Sequence, residues 1–162
     1  MKRSLLVIIG LGIVGGLCML IAIQLIPYGR NHTNPPVSTE PAWDNPATRE
    51  IVVRACFDCH SNETTWPWYS NIAPVSWLVY RDVQEGRDKL NFSQWGQGEQ
   101  EVDELIKVLQ EGEMPMPVYL ITHPEARLKP TEKQTLIQGF QNTFGISREE
   151  GDDRRVDQQG DD

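Results

Sequence analysis

The chain opens on an apolar run. Positions 5–26 are apolar almost without interruption, and Gln24, near the end, is the one strongly polar residue among them. About 20 such residues are enough to cross a bilayer as a helix, so the run predicts one transmembrane anchor. The pattern then changes. Pro27, Pro35, Pro36, Pro41 and Pro46 punctuate a polar stretch. This predicts a linker over 27–45, stiffened toward polyproline II, which at ~3.1 Å per residue could hold a domain ~50–60 Å from the membrane.

From residue 46 the apolar positions follow helical spacing. Asn45-Pro46 reads as an N-cap followed by proline at the first helical position, opening a helix that runs into Cys56. Pro74 opens another, with Trp77, Leu78 and Arg81 along one flank. Over 99–111, Val102, Leu105, Ile106 and Leu109 fall at i, i+3, i+4 and i+7, and Gly112 is a fitting stop. Thr131-Glu132-Lys133-Gln134 reads as a capping box, before a helix striped by Leu136, Ile137, Phe140 and Phe144. No stretch alternates with strand period for long. The expectation is an all-α fold: one helical domain over 46–146, preceded by a cytoplasmic end (1–4), the anchor and the linker.

Charge sets the topology. Lys2 and Arg3 precede the apolar run and only Arg30 follows closely, which places the N-terminus in the cytoplasm and the rest on the periplasmic side. A cleaved signal peptide would have an apolar core of about 7–15 residues and an A-x-A-like site. Ile23-Gln24-Leu25-Ile26-Pro27 offers no such site. Cys18 raises a lipoprotein reading, but Leu17 before it and the apolar sequence after it are poor context. The net charge of −8 argues against a nucleic-acid surface. Much of that charge lies in 147–162, whose composition predicts a disordered acidic tail.

Cys56-Phe57-Asp58-Cys59-His60 carries the chemistry. C-x-x-C-H is the attachment pattern of a c-type haem. Two thiols a fixed short distance apart can add across two vinyl groups of one porphyrin, and the histidine that follows can reach the iron. Zinc wants four N or S ligands, usually with a second paired knuckle, and none is present. A thioredoxin-type motif needs a βαβ setting, and the flanks read helical. One covalent haem c is therefore expected on Cys56 and Cys59, with His60 as an axial ligand.

For the sixth position the candidates are Met114, Met116 and His123, or an open iron. Met114-Pro115-Met116-Pro117 follows a helix end, and its prolines make a rigid loop suited to holding a thioether. Met114 leads, with Met116 as the alternative. Trp66, Trp68 and Tyr69, soon after the motif, are candidates for walls of the haem pocket, with ordinary core packing as the other reading. Arg54, Arg81, Arg87 and Lys89 are candidate propionate partners.

Several separated strings then match in order. Cys59-His60-Ser61-Asn62-Glu63-Thr64, Trp66-Pro67-Trp68-Tyr69-Ser70, Ala73-Pro74-Val75-Ser76-Trp77, Asp82-Val83 with Gly86-Arg87, and Leu90-Asn91-Phe92-Ser93 make up the first half. Gly112-Glu113-Met114-Pro115, Tyr119 and His123-Pro124-Glu125-Ala126-Arg127-Leu128 make up the second. With these strings the chain resembles the bacterial haem-binding domain family of c-type cytochromes. The resemblance implies a monohaem domain of cytochrome c-like helical fold, with Cys56, Cys59 and His60 as attachment and proximal residues. It also supports Met114 over Met116.

The function expected is single-electron transfer by a membrane-anchored cytochrome rather than enzyme catalysis, with redox partners the sequence does not name. The rivals are a peroxidase-like haem enzyme with an open sixth site and a haem-based redox or gas sensor.

Overall fold

Asn45 starts the first helix after the anchor as its side chain predicts. Its Oδ1 accepts the N–H groups of Ala47 (2.9 Å) and Thr48 (3.0 Å). These are two of the donors that every helix start leaves unpaired, and such a cap contributes about 1 kcal/mol. The computed structural model describes residues 2–97, 100, 102 and 104–146. Among them the architecture is all-helical: α1 Lys2–Ile23, α2 Pro46–Ala55, α3 Phe57–His60, α4 Val75–Lys89, α5 Leu105–Glu111, α6 Tyr119–Thr122 and α7 Pro130–Phe144, with 3₁₀ turns at Trp68–Asn71 and Pro124–Ala126. The described residues form no strand, only one isolated parallel bridge between Thr39 and Gln94. The expected acidic tail and parts of the 99–111 segment lie outside the described residues.

Two compact units divide the chain. The described residues of Met1–Glu40 and Cys56–Gln100 form one, and those of Pro41–Ala55 and Glu101–Asp162 the other. Sequence reading put a single domain over 46–146. The second unit packs α2 against α7 and α7 against α5. Ile51, Val52, Ala55, Leu109, Leu136 and Phe140 are buried there. Gly139 lets α7 come close to α2, since a Cβ at that position would lie 2.3 Å from Thr48 Oγ1. In the first unit α4 packs against α3 and the Trp68–Asn71 turn. Ala73, Val83, Leu90, Phe57 and Phe92 are buried there, the last two with stacked rings.

Three expectations need correction. Residues 27–45 are not a free spacer. Ser38 N–H donates to Ser93 O (2.9 Å), Asn34 Nδ2 to Thr64 O (2.9 Å) and Asn62 Nδ2 to Pro36 O (2.8 Å), so residues 34–38 lie along the first unit, while Asp44 N–H donates to Thr143 Oγ1 (3.0 Å) in the second. Its prolines lack donors, but its carbonyls and interspersed polar side chains bond well. The α7 cap lies two residues earlier than Thr131: Glu132 accepts the Lys129 N–H (2.8 Å) and Pro130 occupies the first position. Helix α5 starts at Leu105, leaving Val102 outside it, and ends as expected at Gly112, whose φ of 76° is left-handed.

Candidate functional site

Cys56 breaks the path from α2 into α3, with φ −128° and ψ −29°. Its carbonyl accepts the N–H groups of Cys59 (3.2 Å) and His60 (2.9 Å), closing one helical turn. Residues three apart share a helix face, so the turn presents both cysteines on one side. Neither forms a disulfide, and both are half-buried. Burial, with help from the nearby carboxylates of Asp58 and Asp82, pushes the Cys59 thiol up to about 12, so it stays protonated at neutral pH.

His60 is gripped at two points by one short segment. Its carbonyl accepts the Phe92 N–H (2.8 Å), and its Nδ1 lies 3.1 Å from Leu90 O. A carbonyl only accepts, so Nδ1 carries the proton and Nε2 keeps its lone pair. Burial lowers the pKa of the ring below the ordinary histidine value, with the Leu90 carbonyl opposing. The neutral ring that results is the form that ligates metal. Helix α4 passes directly beside this turn. A Cβ on Gly86 would sit 2.6 Å from Cys59 O, so only glycine lets the two approach.

A buried polar network holds the turn from behind. Ser61 Oγ donates to Phe57 O (2.8 Å) and accepts the Glu63 N–H (2.9 Å). Asn91 Nδ2 donates to Asn62 Oδ1 (2.9 Å), while Asn91 Oδ1 accepts the Ser93 N–H (2.9 Å). Ser93 Oγ accepts the Asn62 N–H (2.9 Å). Arg87 Nε donates to Ser61 O (2.8 Å), and its NH2 group donates to Thr64 Oγ1 (2.8 Å). Arg87 therefore braces the segment after the motif. Arg54 pairs with Glu132 in the second unit (2.7 Å), and Arg81 with its neighbour Asp82 (2.8 Å).

The aromatic candidates separate. Trp66 stacks on His32 (ring centroids 4.4 Å) and donates its indole N–H to Asn34 Oδ1 (3.2 Å), packing on the residue 32–34 stretch. Trp68 is 76% exposed, with Tyr69 edge-on against it. Met114 and Met116 lie in the second unit, on the loop between α5 and α6; Met114 is 37% exposed and Met116 half-buried. His123 stacks on Tyr119 (4.0 Å).

The residues of the turn fit a covalent haem. Two thiols share one face, and the adjacent histidine has a fixed tautomer. Among the described residues no three His, Cys, Asp or Glu side chains converge so as to hold a bare metal ion. Sequence reading missed two features. The Leu90 carbonyl, a backbone acceptor, leaves no trace in sequence. Gly86 could have been found, since an isolated glycine inside a helical pattern often marks a close approach.

The sequence profile of the haem-binding domain family matches residues 18–142. The chain belongs to that family and is a haem-binding protein. No curated protein and no solved structure matches it.

Proposed function

We propose that this member of the haem-binding domain family is a monohaem c-type cytochrome. In this reading it is anchored by α1 in the cytoplasmic membrane, faces the periplasm and transfers single electrons. The observation that carries the reading is the α3 turn: Cys56 and Cys59 on one face, with His60 held by Leu90 O so that Nε2 is the nitrogen left for iron. Cys56 and Cys59 form the thioethers and His60 is the proximal ligand. Met114 on the Pro115 loop is the sixth ligand, with Met116 as its alternative. Bound haem supplies a one-electron couple, and a histidine–methionine pair raises its potential. The chain supplies ligands, their orientation and exclusion of water; no residue is assigned acid–base work. Helix α1 is long and apolar enough to span a membrane, and the Lys2/Arg3 flank supports an outward-facing domain.

The rival reading is an open sixth site with peroxidase-like reactivity. Spectra of the purified protein in both oxidation states separate the two readings. Electron transfer through a closed site predicts low-spin iron and a near-infrared thioether-to-ferric band, lost in Met114→Ala along with a fall in potential. High-spin ferric iron with peroxide turnover would establish the rival. Haem that leaves the chain on a denaturing gel would overturn covalent attachment.

A further inference from the structure

The one polar residue of the apolar run has a specific partner. Gln24 follows the last residue of α1, and its amide pairs with the backbone of Ala73 at both atoms. Ala73 N–H donates to Oε1 (3.0 Å), and Nε2 donates to Ala73 O (2.9 Å). Two neighbours reinforce the join. Tyr28 meets Tyr80 edge-on (5.5 Å), and Gly29 lies so close to α4 that a Cβ there would be 2.5 Å from Ser76 O. The anchor is thus fastened to the first unit where it ends, with no tether between them.

That fastening sets the height of Ala73. A helix whose apolar span ends at Ile23 puts Gln24 at the edge of the hydrocarbon, and Ala73 goes with it. The chain around Ala73 is unusually apolar for an exposed surface. Ile72 and Val75 flank it, Trp68 lies one turn before and Leu78, 51% exposed, one turn after. Leu25 and Ile26, just past Gln24, are exposed as well, so apolar residues continue beyond the end of α1. Exposed apolar patches of this kind mark interaction surfaces, and tryptophan is enriched at the membrane–water boundary.

We infer that the face formed by Trp68, Ile72, Val75 and Leu78 is seated in the interfacial layer of the bilayer that α1 crosses, with Gln24 as the clamp that holds it there. The occupant is lipid, because this surface is fastened at Ala73 to the end of a helix already suited to lipid. The C-x-x-C-H turn, in the same unit, is then held at a fixed height above the membrane instead of swinging on a linker. This rests on the membrane-spanning reading of α1.

The test uses the full haem-loaded chain in vesicles of phosphatidylcholine and phosphatidylglycerol. A benzophenone photo-cross-linking residue replaces Trp68 or Leu78, or, as a control, the exposed Asp88 on the same helix. Lipid adducts are counted by mass spectrometry, and vesicles are washed with alkaline carbonate. The expected result is several-fold more adduct at positions 68 and 78 than at 88, with the chain retained after the wash. Equal yields with the chain retained would overturn the seating and leave the anchor standing. Loss of the chain in the wash would overturn both. Gln24→Leu keeps the span apolar and removes both bonds. It should cut the yield at position 68 several-fold with the chain still retained, and an unchanged yield would dismiss Gln24 as the clamp.

Discussion

In the unit that carries the C-x-x-C-H turn, Ser61, Asn62, Thr64, Ser70, Asn91 and Ser93 are buried and hydrogen-bonded, and Ser76 is buried with its Oγ unpartnered, against a handful of apolar side chains. In the other unit Thr48 is the buried polar residue, surrounded by Ile51, Val52, Ala55, Leu109, Leu136 and Phe140. The second unit is held by area removed from water, a non-directional force of about 25 cal/mol per Å². The first is held by hydrogen bonds, each worth only about 1 kcal/mol net, but leaving a buried group unpaired costs about 1–3 kcal/mol. Hydrophobic packing tolerates small displacements of its members. A closed hydrogen-bond network does not, and it surrounds the one turn whose three side chains must be placed relative to each other.

Substitutions in each unit can break or sharpen that contrast. The largest effect is expected from Phe140→Ala, which should destabilise the apolar unit by about 3–5 kcal/mol through lost burial and a residual cavity. Hydrogen exchange should show amides of α2 and α7 opening first. Equal opening at 60–65 would show that the two units unfold as one and erase the distinction.

Asn91→Leu tests the other side. It is close to the native side chain in size yet strips the partners from Asn62 Oδ1 and the Ser93 N–H. The expected loss is about 1–3 kcal/mol, read as faster exchange at 60–65 with α7 unaffected. A stability gain would mean that apolar packing serves this unit equally well.

Two glycines give a matched pair. Gly139→Ala strikes a side chain, Thr48, and Gly86→Ala strikes backbone, Cys59 O. Each should cost about 1–3 kcal/mol by overpacking. Adding Thr48→Ala removes the two nearest atoms but leaves Cβ at 2.9 Å, so it should recover part of the loss in Gly139→Ala, measured by urea midpoint. No side-chain change should rescue Gly86→Ala, and its spectra should report a disturbed α3 turn.

The smallest effect is electrostatic. The Lys129 N–H and the Arg54 guanidinium hold the Glu132 carboxyl below the ordinary glutamate value. A lowered folded pKa gives stability that is full above the unfolded value, about 4.3, and lost as pH falls through the folded value. Tm of the native chain and of Glu132→Gln should therefore differ most above the unfolded glutamate value and converge only as pH falls below the lowered folded value. A constant gap across that range would assign the contribution to packing.

The contrast also explains what sequence could tell. The faces of α5 and α7 follow the 3.6 period because burial placed them there, and their apolar residues were found. Helix starts were harder: Thr131 with Gln134 satisfies the capping pattern and Lys129 with Glu132 does not, and only Pro130 at the first position points to the true start. In the first unit periodicity says little, since its interior is polar, but the attachment motif is explicit. The acceptor that orients His60 could not be read, because any residue at position 90 supplies a carbonyl. The 27–45 stretch was misjudged because proline content reports stiffness and is silent on what a stiff segment rests against.

The interleaving of the two units bears on how the chain is made. A ribosome delivers residues in order, and structure forms from the N-terminal side as synthesis proceeds. Everything the C-x-x-C-H turn leans on, from Gln24 to Gln100, is available once residue 100 has emerged. Helix α2, inserted between the two stretches of that unit, must wait for α7 and the Pro124–Ala126 turn to cover Ile51 and Val52. The nascent protein therefore passes through a stage in which the attachment turn is already shaped while an apolar helix just before it lies bare. Any factor that attends the chain during maturation meets it in that form.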